Sequence, residues 1–205
     1  DDDDMQRDYW YTAARDWRAL EDIEEVGRKA ARKAVERLGA GKLSTRKAPV
    51  LFAPDLARGL VGHFVGAIGG TAQYRRSSFL LDARGQRVFP EGISLIERPH
   101  LRGALGSAPF DSEGVATRDR ELVVHGVLDG YLLDAYSARK LGLVTTGNAG
   151  GVHNLVVQGH MLDPKTLLKK LGTGLLVTEM MGQGVNPVTG DYSRGAAGFW
   201  VENGE

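Results

Sequence analysis

The chain has 205 residues, with 26 basic and 26 acidic side chains and no cysteine. A zero formal charge argues against an electrostatic grip on nucleic acid or an anionic membrane, and the lack of thiols excludes disulfides and thiolate metal ligands. No apolar run approaches the roughly 18 residues of a membrane span, and 42% hydrophobic with 25% charged residues is a globular balance.

The sequence opens on Asp1 to Asp4 and closes on an apolar stretch followed by Asn203-Gly204, a strong hairpin signal. The expectation is that residues 1–205 are the middle and C-terminal part of a longer protein, with an N-terminal domain outside this sequence. Tyr9 to Thr12 reads as a strand from its aromatic and β-branched content. A helix follows over Leu20 to Leu38, with Ile23, Val26, Ala30, Ala34 and Leu38 on one face and Gly39 and Gly41 as its stop. Glu25 and Lys29 stand four apart in the favourable order.

Val50 to Ala53 is a short buried strand. Asp55 is a candidate cap for a second helix over Leu56 to Ile68, which carries Gly59, Gly62, Gly66 and Gly69. Each glycine weakens a helix by about 1 kcal/mol relative to alanine, so close backbone approach is the expected compensation. Ser78 to Leu81 and Arg87 to Phe89 flank Asp82-Ala83-Arg84-Gly85 as a hairpin candidate.

The second half is richer in strands. Glu121 to Val124 and Val127 to Leu133, joined at His125-Gly126, predict a hairpin. Ser137 to Leu141 is a helical turn before Gly142, and Pro164 to Leu171 is a short helix between an Asp163 cap and a Gly172 stop. Gly174 to Met180 and Ala197 to Glu202 are strands on either side of a turn-rich loop, Gly182 to Ser193. The whole predicts an α+β fold: a large, mostly antiparallel β-sheet with a few packed helices.

Local chemical motifs are few. The five histidines are His63, His100, His125, His153 and His160, and none stands three to five residues from another. His-Glu-x-x-His, Gly-x-Ser-x-Gly and the phosphate-loop ending Gly-Lys-Ser/Thr are absent. Gly147 to Gly151 and Gly172 to Gly174 read as turns. A β-rich protein can also take an extended peptide as an added strand, for which no short motif exists.

Longer segments carry more. Tyr136-Ser137-Ala138-Arg139-Lys140-Leu141-Gly142 leads into Thr145-Thr146-Gly147-Asn148-Ala149-Gly150-Gly151. Gly172 to Glu179 follows, then Asn186 to Gly204, with Asp111 to Thr117 in support. Together they closely resemble the TldD/PmbA metalloprotease family, in its PmbA (TldE) branch, over nearly the whole chain. The resemblance implies a cytoplasmic protein that pairs with a TldD-like protease subunit. The pair would degrade unfolded peptides and process modified-peptide precursors of the microcin type. Substrate would lie extended in a chamber. A homodimer that binds peptides without cutting them is the alternative, as is cleavage by a site of its own.

The family's catalytic branch holds zinc on a His-Glu-x-x-x-His helix plus a distant cysteine. Placed by the strand Val50 to Pro54, that helix falls on Gly62-His63-Phe64-Val65-Gly66-Ala67 here. Gly62 stands at the first ligand, His63 at the glutamate and Ala67 at the second ligand. Glycine and alanine offer no lone pair, and an imidazole cannot replace the carboxylate that takes a proton from zinc-bound water. The resemblance therefore implies no catalytic residue and no metal on this chain, with zinc in the TldD-like partner. Gly147, Asn148, Gly182, Gln183, Asn186, Asp191 and Tyr192 are candidates for the peptide chamber or a subunit interface, and a purely structural connector is the plainer alternative for them.

Overall fold

A computed structural model describes residues 4–205. They form two compact units: residues 4–48 with Gly103–Leu105, and Pro49–Arg102 with Gly106–Glu205.

The first unit is built on α1 (Ile23–Val35). It is shorter than the periodicity suggests at both ends: Leu20 is extended and Asp22 is the cap, and the helix closes at Glu36. Asp22 caps α1 by accepting from the Glu24 and Glu25 amides, and acids in the first turn with Arg32 and Lys33 in the last complement the helix dipole. Lys29 pairs with Glu21 rather than with Glu25, which instead holds Arg28. Tyr9 to Thr12 is no strand. Among the described residues it has no partner strand, and its aromatic rings lie along the basic side of α1 instead: Lys29 sits 5.1 Å from the Trp10 ring and Lys33 5.6 Å from that of Tyr9.

The second unit holds the remaining elements. In one sheet, β1 (Val50–Phe52) runs parallel to β6 (Gly174–Met181), which pairs antiparallel with β7 (Gly195–Val201). In the other, β2 (Ser94–Glu97), β3 (Arg120–Val124), β4 (Val127–Leu128) and β5 (Leu155–Gln158) are all antiparallel, in the order β4-β3-β2-β5. The α+β class and the mainly antiparallel pairing agree with the sequence reading, and the strands are divided between these two sheets.

Between them runs α2 (Pro54–Ala67). Its cap is Ala53, and Pro54 at the first turn starts it, where no amide is needed; Asp55 lies two positions past the cap, inside the first turn. Phe64 and Ile68 enter the core with Leu95, Leu122, Val123 and Leu128 of the four-stranded sheet, and α2 also packs on β6. Gly59, Gly62 and Gly66 do not serve close approach, since a Cβ on any of them would meet nothing within 4 Å. The crowded glycine is Gly70, at the start of α3 (Gly70–Tyr74), where a Cβ would stand 2.5 Å from that of Ser137. Ser137 belongs to α4 (Ala135–Leu141), capped by Asp134 and ended by Gly142 at φ +67°.

The proposed hairpin at Ser78 to Phe89 does not form. Arg87 bridges Val127, and Val88 and Phe89 donate to the Gly126 carbonyl, so this segment is taken up by the β3–β4 turn, whose own burial outweighs a local pairing. The strand predicted over Val127 to Leu133 stops at Leu128. α5 (Pro164–Leu171) has the expected limits, Asp163 cap and Gly172 stop. At Asn203-Gly204 both residues have positive φ, 55° and 83°, and Glu205 donates back to the Glu202 carbonyl at 3.1 Å. That is the tight turn the dipeptide announces.

Candidate functional site

A cleft of about 470 Å³ opens where α2, α3, α4 and two loops meet. Its lining includes Val65, Gly66 and Gly69, Asp134 and Ser137, and Asn148 with Gly151. Pro187, from the loop between β6 and β7, reaches its rim. The loop is anchored there because the Phe79 amide donates to the Pro187 carbonyl at 2.9 Å.

Asn148 is the central side chain. Its Oδ1 accepts from Arg120 Nη1 and Thr146 Oγ1, each at 2.7 Å, and its Nδ2 donates to Glu97 Oε1 at 2.7 Å and to the Gly151 carbonyl at 3.1 Å. Glu97 Oε1 also accepts from the His153 amide at 2.7 Å, with His153 Nδ1 at 3.0 Å. Among the described residues no fully buried side-chain polar atom is left without a partner, and these shared hydrogen bonds hold the 147–153 segment in one conformation. Gly147 is required by the same geometry: its φ is +74°, and a Cβ would sit 2.9 Å from the Ala116 carbonyl oxygen.

Asp111 ties this segment to the next loop. Its carboxylate accepts from the amides of Glu113, Val115 and Ala149, all at 2.9 Å. Burial pushes its pKa up, but these three donors, helped by His153, outweigh burial and hold it below the ordinary value of 3.8. The folded pKa being the lower one, Asp111 stabilises the fold above pH 3.8 and loses that contribution as pH falls through the folded value. Urea midpoints measured from pH 6 to pH 2.5 should therefore fall more steeply for the parent than for Asp111→Asn. Parallel curves would refute this role.

The other expected site residues separate into two groups. His63 is half-buried, with its ring edge-on to Tyr192 at 5.9 Å, and the Tyr192 hydroxyl donates to Met180 Sδ at 2.9 Å. The structure therefore joins the α2 position to the β6–β7 loop. Gly182, Gln183, Asn186 and Asp191 are exposed. Asn186 Oδ1 accepts from the Val188 amide at 2.9 Å, and Asp191 accepts from Thr189 Oγ1 at 2.6 Å. These two side chains build the loop's own turns rather than the cleft.

Sequence reasoning missed Gly70, Asp134 and Ser137 as cleft residues, although Ser137 lies in a segment that carried the family resemblance. Ser137 is 1% exposed and its Oγ donates to Oδ1 of the capping Asp134 at 2.6 Å, so its hydroxyl is engaged with the helix cap. The Ser137 hydroxyl and amide hold the Asp134 pKa down. Among the described residues the lining is made largely of small residues and hydrogen-bonding groups, and no histidine is part of it.

This cleft lies wholly within residues 45–205, which match the family model described as PmbA/TldA metallopeptidase C-terminal domain. The chain belongs to the PmbA/TldA metallopeptidase family. Residues 1–38 match the central domain of the same family. The chain is 55% identical over 202 residues to the metalloprotease PmbA of Escherichia coli O157:H7, covering 98% of this chain and 45% of that protein. A crystal structure from Bacteroides thetaiotaomicron superposes with a TM-score of 0.89 at 32% identity, covering 96% of this chain and 44% of the other. TldE from Thermococcus kodakarensis does so with a TM-score of 0.70 at 25% identity, covering 91% and 45%. The chain spans about half the length of the curated relatives it matches.

The metallopeptidase name invites a test of the α2 position for zinc. Gly62 and Ala67 carry no donor atom, and His63 is turned to the Tyr192 ring. Among the described residues no three His, Asp or Glu side chains converge as metal ligands would. The donor set at this position does not fit a catalytic zinc. Among the described residues, no helix is long and apolar enough to cross a membrane.

Proposed function

We propose that this chain is the non-zinc subunit of a TldD/TldE-type heterodimeric metalloprotease. It would act in the cytoplasm on unfolded peptides and on modified-peptide precursors, with zinc held by the TldD-like partner. The observation that carries the reading is the α2 segment Gly62 to Ala67. By the resemblance it falls at the family's metal-helix position; it is helical, packs on β6, and offers one imidazole where three groups are needed. The cleft between α2 and Asn148 supports a share in peptide binding, because it is lined by small residues that let an extended backbone approach.

Co-expression with a TldD-like subunit tests this. The two should co-elute on size exclusion and cleave a denatured protein together, whereas this chain alone should cleave nothing. Metal analysis should find about one zinc per heterodimer and none on the isolated chain. Chelator-resistant cleavage by the chain alone, or one tightly held zinc per chain, would overturn the proposal. A stable peptide-binding homodimer that ignores the TldD-like subunit would overturn it in favour of the non-proteolytic alternative.

A further inference from the structure

A second cleft, of about 350 Å³, lies on the other side of the Tyr131–Leu133 segment and has a different character. Its polar lining is Arg84, Arg118 and Arg120, with Glu121 and Asp129, and its apolar lining includes Tyr131, Leu143 and Val144. Nothing in the proposed function uses these arginines as a group.

Two of them are already oriented by the protein. Arg84 Nε donates to the Asp129 carbonyl at 2.6 Å. Arg120 donates from Nη1 to Asn148 Oδ1 at 2.7 Å and from Nη2 to the Tyr131 carbonyl at 3.0 Å. These hydrogen bonds use two of its five N–H groups, and Glu97 is no closer than 3.9 Å. Arg118 is exposed and, among the described residues, makes no hydrogen bond or ion pair. Guanidinium groups with unused N–H pairs match a planar carboxylate through paired hydrogen bonds.

Charge selects among anions. Three arginines against two carboxylates leave a net charge of one in the cleft lining, which suits a monoanion better than a phosphate dianion. Apolar surface selects the rest of the ligand: Leu143 is 42% exposed and Val144 80% exposed beside the arginines. Exposed aliphatic side chains next to partly satisfied guanidinium groups favour an acid with an apolar body, and the volume suits one of amino-acid size.

We propose that the Arg84/Arg118/Arg120 cleft is a carboxylate-binding site for an acid with an apolar side chain. Either the C-terminal residue of a peptide or a small free aliphatic acid has this chemistry. The site goes beyond the assignment as a protease subunit and does not depend on it.

The test is calorimetric titration of the purified chain with three probes: a tetrapeptide ending in leucine as the free acid, the same peptide as the C-terminal amide, and 4-methylpentanoate. The acid peptide should bind saturably, with the amide at least about tenfold weaker. Arg118→Gln should weaken the acid by about tenfold, and its melting temperature should stay at the parent value because Arg118 holds no partner among the described residues. Arg84→Gln should act in the same direction. Binding of 4-methylpentanoate with the same dependence on Arg118 supports the site with a free acid as ligand, whereas Arg118-dependent binding of the acid peptide alone supports it with a peptide terminus. The proposal is overturned by equal affinity for acid and amide, by full affinity in folded Arg118→Gln, by no saturation up to about 10 mM, or by inorganic phosphate competing as well as the acid.

Discussion

Glu97→Ala should destabilise the chain by about 3–5 kcal/mol, because it strips the anion from a buried charge cluster. The Glu97 side chain is 2% exposed and that of Arg120 13%. Its Oε1 receives the Asn148 amide and the His153 backbone N–H, both at 2.7 Å. Truncation leaves the Asn148 and His153 donors without their buried acceptor and the Arg120 guanidinium without its counter-charge, and orphaned buried donors are far more unfavourable than the original bonds were favourable. For a domain whose whole stability is of the order of 5–15 kcal/mol, this approaches global unfolding. Urea denaturation of parent, Glu97→Ala and Glu97→Gln checks it. The glutamine keeps an acceptor for one neighbour and should fall between the other two. A loss under about 1 kcal/mol in Glu97→Ala would show that the cluster is not coupled to folding.

Gly198→Ala should have an effect of similar size, about 3 kcal/mol or more, for a reason that is purely steric. The pairing of β6 and β7 shifts register between Val177 and Glu179, and Gly198 stands opposite Val177. A Cβ there would lie 1.9 Å from the Leu176 carbonyl oxygen and 2.9 Å from the Val177 Cα. Both are main chain, so no side chain can swing aside and the strands themselves must part. Gly195→Ala, three residues earlier on β7, is the control. Its nearest neighbour would be the Met181 Cβ at 3.4 Å, an ordinary contact, so its effect should stay within about 0.5 kcal/mol. Thermal melts of the two variants side by side decide the matter, and equal losses would refute the steric account. Because α2 rests on β6, Gly198→Ala should also disturb the His63–Tyr192 contact, which a change in tyrosine fluorescence would report.

How far each part could be read in advance follows from where its determinants lie. Residues 164–171 were legible because an Asp cap, a proline at the first turn and a terminating glycine all fall within ten positions. The β3–β4 hairpin was legible at His125-Gly126 for the same reason, and both residues have positive φ, 46° and 82°. The strands Ser94–Glu97 and Leu155–Gln158 and the helix Gly70–Tyr74 were not legible. Each is four or five residues long, and each is stabilised by partners distant in sequence, Leu95 with Val157 among them. The aromatic content of Tyr9 to Thr12 misled in the opposite direction, because a strand needs a neighbour and propensity alone supplies none.

The candidate site divides in the same way. Sequence resemblance picked out the α2 position and Asn148 and failed to separate Asn186 and Asp191, which fold their own loop, from Tyr192, which meets His63. By itself the sequence determined the family, the α+β class, both ends of α5, the tight turns at His125-Gly126 and Asn203-Gly204, and the missing donors at Gly62 and Ala67, since all of these are written in residue identity or short-range spacing. Only the tertiary structure decided that Pro187 and Asn148 line one cleft, that the glycines of α2 face open space, and that Arg84, Arg118 and Arg120 share a second cleft. Those facts depend on which surfaces are buried together, and burial is a property of the whole packed chain that no local window of residues encodes.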